Sequence, residues 1–507
     1  MQFDQINTKS VADSVSEQVK HLILGGGLKP GEKLPSERIL ATEFNVSRMS
    51  LRQGISLLID IGLLEARKDG TYVCDVISPS LVGPFSQLFS WYPKALHDML
   101  ELRLLLQTKA IELAIERSCD SDKDILEFFY DRMQLAFETK KIPEIIEAVK
   151  ELHLAIIDCS YNLVLATVLR GILSLLQSSL KDDIGKEHLS KYQFIQECLY
   201  KAVIQGDSGI ANDMLERHIE MVKSFSLLSS KVAFDQLSLN EQPSQSYRID
   251  KAVARIEHLI ICQHFEASKA LPDLLLLSKE VGESEDVVNA ALKVLLEKDI
   301  LSIEKGKLCV ATNSSKPLIS DPLAHLINTD WKVALDVFEL RIILERNSSY
   351  QAAENENYDK RNYLKTCLSR LLANDDDYNA HSNALDDYEF HLAIADLSEN
   401  LATTYLMRGL FNLLRGSISS WLALFNKEVG DISIIQRQHI NICDAILANT
   451  PNNASEAMRE HLQYVITTVQ RIAARKERET YAQQRWRYIE NKYSLKSIQV
   501  KSLKSKP

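Results

Sequence analysis

Four residues in the second half of the chain have the types and spacing of a metal-binding set. Asp387 and His391 stand four apart and so project from one face of one helix; His439 lies on a later helix, and His461 follows 22 residues on, past the break Thr450-Pro451-Asn452-Asn453. Three imidazoles and one carboxylate drawn from three helices suit a borderline divalent ion such as zinc, nickel or manganese. Spacing alone fits equally a set of unrelated polar residues, each satisfied by its own hydrogen bonds, and in a helical protein with 12 His that is the commoner arrangement. A second chemistry lies near the N-terminus. Arg48 and Arg52 are four apart on a helix whose other face carries Leu51, Ile55 and Leu58, and two guanidinium groups so placed can each pair with a guanine edge in a major groove. Solvated surface arginines show the same spacing.

The elements that must hold these residues are almost all helices. Val11, Val15, Val19 and Leu22 predict a helix behind the cap Ser10, stopped by Gly25-Gly26-Gly27; short helices follow from Ser36 to Phe44 and from Ser47 to about Asp60. Gly62-Leu63-Leu64-Glu65, the charged turn Arg67-Lys68-Asp69-Gly70 and the strand-like Thr71-Tyr72-Val73-Cys74 then predict a small hairpin. Three helices and a hairpin make a winged helix-turn-helix. From about Leu81 to Ser230 the pattern is six or seven helices, beginning with Leu100, Leu104, Ala110 and Leu113, and Asn240 to Tyr247 is a polar linker.

The whole arrangement then repeats. Glu101-Leu102-Arg103 recurs as Glu339-Leu340-Arg341, Arg170-Gly171 as Arg408-Gly409 and Asn162 as Asn400, at an offset of 238; around Ala202 and His218 the offset to Ala445 and His461 is 243. The copies have kept different residues. Arg38, Arg48 and Arg52 align with Leu275, Glu285 and Asn289, while the apolar stripe persists as Val288, Leu292 and Leu295, so the second head should fold without reading DNA. Conversely Asp387, His391, His439 and His461 align with Val149, His153, Gln196 and His218, a weak metal set with two of four ligands lost. Arg103 survives there, suited to an anion or to a structural salt bridge. The expected order is a DNA-binding head over 1–75, a helical domain over 81–232, a degenerate head over 248–312, a helical domain over 321–474 and a basic tail over 475–507.

Leu34-Pro35-Ser36-Glu37-Arg38, Asn45-Val46-Ser47-Arg48, Leu51-Arg52, Gly62-Leu63-Leu64 and Gly70-Thr71-Tyr72-Val73 together resemble the head of the GntR family of bacterial transcription regulators, in that family's order and spacing. The helical domains resemble the all-helical effector domain of its FadR-type subgroup, called FCD. The resemblance implies that Arg38, Arg48 and Arg52 contact bases or phosphates and that Gly70 lets the wing tip enter the minor groove. Lys68-Asp69-Gly70 departs from the family's glycine-rich wing. It also implies that Asp387, His391, His439 and His461 ligate one divalent ion, zinc first, with positions left open for a carboxylate effector. Arg341 would clamp that carboxylate, a salt bridge to a neighbouring helix being the other reading. Phe390-His391-Leu392-Ala393-Ile394-Ala395 and Asn400 onward are similar to pyruvate- and lactate-responsive members, which implies a small hydroxy- or keto-acid effector. Members usually pair as homodimers on two-fold symmetric operators, so a homodimer of the duplicated chain is expected, binding a double-stranded operator.

Composition agrees with this reading. The 507 residues carry a formal charge of −10, too acidic for a protein that coats nucleic acid indiscriminately. From Arg471 to Pro507 eleven Lys or Arg against three Glu give +8, which leaves −18 on the rest; a solvated, partly disordered extension of the last helix is the simplest account of that tail, and a nonspecific DNA or RNA contact is the other. No apolar run reaches membrane-spanning length, and eight scattered Cys without a C-x-x-C pair suit a reducing cytoplasm, the protein joining the nucleoid when DNA-bound. Two rival functions are a metal-dependent hydrolase, in which three His and an Asp activate water, and a sensory adaptor using the degenerate head. An intact reading head and the lack of a spaced general base argue against an enzyme.

Overall fold

The computed structural model of the chain describes residues 10–24, 28, 31–74, 93–179, 188–237, 249, 252, 256, 271–281, 283–297, 301–304, 306–310, 331–373, 380–411 and 433–493. The predicted linker over 240–247 and the Gly25-Gly26-Gly27 stop lie outside them. The chain divides into two compact units, Met1–Leu344 with Ala395–Leu414, and Glu345–Ile394 with Arg415–Pro507.

The N-terminal head is a winged helix. Helix α1 (Val11–Leu24) opens on a reciprocal cap: Ser10 Oγ accepts from the Asp13 amide at 3.0 Å, and Asp13 Oδ2 accepts from the Ser10 amide at 2.8 Å. Its buried stripe is Ala12, Val15, Val19 and Ile23; Val11 and Leu22, expected in it, are 52% and 48% exposed. One residue turns a helix by about 100°, so apolar residues flanking the stripe mislead a reading by spacing. After α2 (Glu37–Glu43), α3 (Arg48–Asp60) starts at Ser47, whose hydroxyl accepts from the Ser50 amide, and buries Leu51, Ile55 and Leu58 as predicted. Where α1 crosses α3, a Cβ on Gly54 would lie 2.7 Å from the Ala12 carbonyl oxygen, so only glycine fits. Strands β1 (Leu64–Arg67) and β2 (Gly70–Val73) pair antiparallel with Leu64 opposite Val73 and form the wing.

The first helical domain has six helices among the described residues: α4 (Pro93–Arg117), α5 (Asp120–Thr139), α6 (Ile142–Asp158), α7 (Leu163–Ser179), α8 (Leu189–Gln205) and α9 (Ser208–Leu237). The second head follows with α10 (Leu274–Val281), α11 (Glu285–Glu297) and the hairpin β3 (Leu301–Glu304) and β4 (Lys307–Val310), around a core that includes Leu277, Val288, Leu292, Leu295 and Leu301. The second helical domain contains α12 (Trp331–Glu354), α13 (Tyr358–Ala373), α14 (Ala380–Leu397), a helical stretch over 401–411, α15 (Ser433–Leu447) and α16 (Pro451–Tyr493). The tail expected from residue 475 is thus helical to Tyr493, since α16 runs on for 43 residues, about 65 Å at 1.5 Å per residue.

The backbone repeats as the sequence does. Tyr161 and Glu399, 238 apart, both take left-handed conformations (φ 51° and 59°), as do Gly206 and Asn449, 243 apart (φ 76° and 55°). Within the first unit the copies also meet through matched contacts. Asn162 caps α7 through Oδ1 on the Leu165 amide, and its side-chain amide donates to the Asp336 carbonyl at 3.2 Å and to Glu339 at 3.0 Å. Asn400 caps the 401–411 helix through Oδ1 on the Thr403 amide, and its side-chain amide donates to the Asp98 carbonyl and to Glu101, both at 3.3 Å. The Asp336 carboxylate accepts from the Leu163 amide, and the Asp98 carboxylate from the Leu401 amide, each at 2.9 Å. Residue i of one copy meets residue j of the other, and j meets i: this is the signature of a two-fold interface, here inside one chain. Each carboxylate meets a helix N-terminus, where the helix dipole favours negative charge.

Candidate metal centre and DNA-reading face

The second unit gathers the predicted quartet. Helix α14 carries Asp387 and His391 on one face, α15 supplies His439 and α16 supplies His461, so three helices converge as the spacing predicted. The three imidazoles are buried, and one ring nitrogen from each lies within 4.8 Å of the other two. Ring centroids stand 4.5 Å apart for His439 and His461, 5.4 Å for His391 and His461, and 5.6 Å for His391 and His439. Asp387 Oδ1 is 3.2 Å from His439 Nε2 and 3.8 Å from His391 Nε2. Burial acts to raise the Asp387 carboxyl, but His391, His439 and His461 around it prevail and hold it well below the usual carboxylate range. Burial, opposed by Asp387, lowers the His439 imidazole. One carboxylate and three imidazoles are a donor set that suits a divalent ion.

Two groups that the sequence reading missed orient these ligands. Glu345 on α12 places Oε2 2.5 Å from His391 Nδ1, and Gln438 Oε1 lies 3.2 Å from His461 Nδ1. A partner on one ring nitrogen fixes the tautomer and leaves Nε2 as the ligating atom. Phe390 packs edge-on against His391 and His439, walling the cluster with hydrocarbon. Glu345 could have been found in the sequence as the carboxylate one turn beyond Arg341 on the same helix; Gln438 had no such signal.

Arg341 sits on α12, buried, with its guanidinium 4.8 Å over the Phe411 ring and 5.7 Å from the Phe338 centroid.

The equivalent positions of the first copy form a closed ring instead. Arg103 Nε donates to Gln107 Oε1 at 3.0 Å; Gln107 Nε2 is 2.6 Å from His153 Nδ1; His153 Nε2 is 2.7 Å from Gln196 Oε1; Gln196 Nε2 is 2.8 Å from His218 Nδ1; and His218 Nε2 is 2.8 Å from Arg103 NH2. All five side chains are buried. Gln107 stands where the second copy has Glu345, 238 residues on. Burial, then the Arg103 charge, takes His153 down to about 3, and the same causes lower His218 well below its ordinary value. Burial likewise lowers Arg103 to about 10. Among the described residues Arg103 has no carboxylate partner, against the salt bridge weighed for it.

At the other end of the chain, Arg38, Arg48 and Arg52 are all exposed, the last with its Nε 2.7 Å from Glu37 Oε2. On the wing, the Tyr72 hydroxyl donates to Asp69, Lys33 reaches Asp69 at 3.2 Å, and Arg67 lies 4.5 Å over the Tyr72 ring. Gly70 has φ +155°, and a Cβ there would lie 2.5 Å from Lys33 Cε. In the second head Leu275, Glu285 and Asn289 occupy the three arginine positions and are exposed as well, offering DNA no positive charge.

Comparison with known proteins agrees in order and extent. The profile described as bacterial regulatory proteins, gntR family, matches residues 11–73, and the profile of the FCD domain matches twice, at 98–221 and 336–464. The Glc operon transcriptional activator of Escherichia coli K12 is 30% identical over 224 residues, 42% of this chain and 88% of that protein. A second protein of that strain, named for regulation of the L-lactate dehydrogenase operon, is 31% identical over 227 residues, 42% of this chain and 85% of its own length. Among solved structures, a Streptococcus agalactiae GntR is similar at 23% identity and a TM-score of 0.29, covering 43% of this chain and 99% of that one. Each relative accounts for less than half of this chain while nearly all of its own length is matched.

Proposed function

This chain belongs to the GntR family of bacterial transcription regulators, with its FCD domain present twice, and from that membership we propose that the first head reads an operator under control of a small carboxylate bound at the metal centre of the second copy. The observation that carries the proposal is the split between copies: exposed arginines at three head positions only in the first, and three converging buried imidazoles only in the second. Arg48 and Arg52 would enter the major groove from α3, with Arg38 on the adjacent helix and the Gly70 wing on the minor groove. Asp387, His391, His439 and His461 would hold the ion, with zinc the first choice and nickel or manganese also compatible with the donors. When bound, the ion supplies Lewis-acid positions for a carboxylate oxygen. Glu345 and Gln438 hold two imidazole tautomers, and Arg341, one turn before Glu345 on α12, pairs with the effector's carboxylate.

The name of the relative linked to an L-lactate dehydrogenase operon supports a small hydroxy or keto acid as effector. Two intact heads require two chains, so a homodimer of the duplicated chain is the assembly for a two-fold operator. Because the contacts between copies are already filled within one chain, such a dimer would form through another surface. The test is selection of bound duplexes from a random library by the purified protein beside its Arg48→Ala, Arg52→Ala double variant. An enriched palindrome supports paired chains, and an enriched single half-site would replace the homodimer with a one-headed pseudo-dimer. No enrichment over the variant, with or without metal and lactate or pyruvate, would overturn the operator reading.

A further inference from the structure

The buried ring of the first copy cannot satisfy itself. At its five contacts Arg103 offers two donors and no acceptor, whereas Gln107, His153, Gln196 and His218, the imidazoles being neutral, each offer one donor and one acceptor. Six donors therefore face four acceptors. Flipping either amide or changing either tautomer moves the mismatch around the ring but never removes it, because five contacts need five acceptors. As drawn, the mismatch falls at His218, where Arg103 and Gln196 both point a donor at a ring that carries one proton of its own. The ring also encloses a guanidinium with no carboxylate beside it among the described residues, and a buried unpaired charge is costly. One negative charge and one acceptor are missing from the same place.

The losses between copies make sense in the same terms. The second copy has two carboxylates, Asp387 and Glu345, at positions where the first has Val149 and Gln107, while Arg341 and Arg103 are shared.

We infer that the first helical domain is a second, metal-independent binding site, in which a small monocarboxylate pairs with Arg103 and supplies the acceptor that the Gln107, His153, Gln196 and His218 ring lacks. This inference does not rest on the metal centre of the second copy. The chain then senses carboxylate twice, once through an ion and once through a guanidinium alone.

The experiment is calorimetric titration of the full chain, stripped of metal with a chelator, with lactate, pyruvate and acetate as probes, beside two variants of the ring and one of the other copy. Binding should persist in the stripped wild type and in His439→Ala, and fall by at least about tenfold in Arg103→Gln. The decisive variant is Gln107→Glu, which is nearly isosteric and gives the ring five donors and five acceptors together with its own anion. It should raise the melting temperature of the ligand-free chain by a few degrees and abolish carboxylate binding in the stripped protein. No binding to the stripped wild type, or binding lost in His439→Ala but kept in Arg103→Gln, would overturn the inference. So would a Gln107→Glu chain that melts lower than wild type, because the ring would then have been complete without an anion.

Discussion

The two copies of the FCD domain share left-handed residues at matched positions, yet at three of six matched site positions their residues have diverged. Where the second copy has Arg341, Glu345, Asp387, His391, His439 and His461, the first has Arg103, Gln107, Val149, His153, Gln196 and His218. The second set is an ionised carboxylate beside three imidazoles, two of which, His391 and His461, have partners on Nδ1. The first is a ring of neutral imidazoles and amides around one guanidinium. The heads have diverged the opposite way, with Arg38, Arg48 and Arg52 intact in the first and replaced in the second. A duplicated chain can thus relax each half of a function once the other copy retains it, provided that packing survives, and it does: Leu51, Ile55 and Leu58 have buried counterparts in Val288, Leu292 and Leu295.

The largest effect that would break the comparison lies in the heads. Replacing Arg48 and Arg52 by Ala should cost specific DNA binding roughly 2 to 6 kcal/mol, at 1 to 3 for each bidentate pair, while Glu285→Ala with Asn289→Ala should change nothing measurable; fluorescence anisotropy on a selected duplex checks both. If the second pair mattered as much as the first, the heads would not be specialised.

A pH titration sharpens the contrast between the buried clusters. His153 has a folded value of about 3 against an ordinary 6.5, so its neutral form stabilises the fold fully above pH 6.5, and that stability is lost as pH falls from there toward 3. The slope is up to about 1.4 kcal/mol per pH unit for this one group. Ring resonances in NMR should show His153 still neutral at pH 5; a midpoint near 6.5 would mean that the ring is not closed.

Glu345→Gln keeps every ligand but removes the anion on His391, and should weaken metal binding about 10- to 100-fold, as losses of such orienting partners do. Competition with a chromophoric chelator measures it. Smallest are the matched contacts between copies. Asn162→Ala and Asn400→Ala should each cost about 1 kcal/mol of stability, through a lost helix cap and lost donors, and by similar amounts; unequal losses in chemical denaturation would show the interface to be lopsided.

Much of this was legible in the sequence, and what was not has a physical reason. The α3 stripe and the quartet could be read because each depends on helical periodicity or on residue type. The α1 stripe was misread at Val11 and Leu22 because apolar residues flank the true face, which Ala12 and Ile23 complete. Gly54 gave no sign of its role, since its need for a missing Cβ arises only where α1 crosses. Asn162 and Asn400 were visible as markers of the repeat, but their reach of some 170 to 300 residues along the chain comes from tertiary structure. Glu345 was overlooked because one carboxylate on a helix is ordinary until an imidazole is brought against it.

The most direct measurement of the division between copies is metal content per chain, by mass spectrometry of the purified full-length protein after equilibration with zinc. One ion per chain, lost in His439→Ala and in His461→Ala but kept in His153→Ala and His218→Ala, is the predicted result. Two ions per chain, or one that follows His153 and His218, would contradict it.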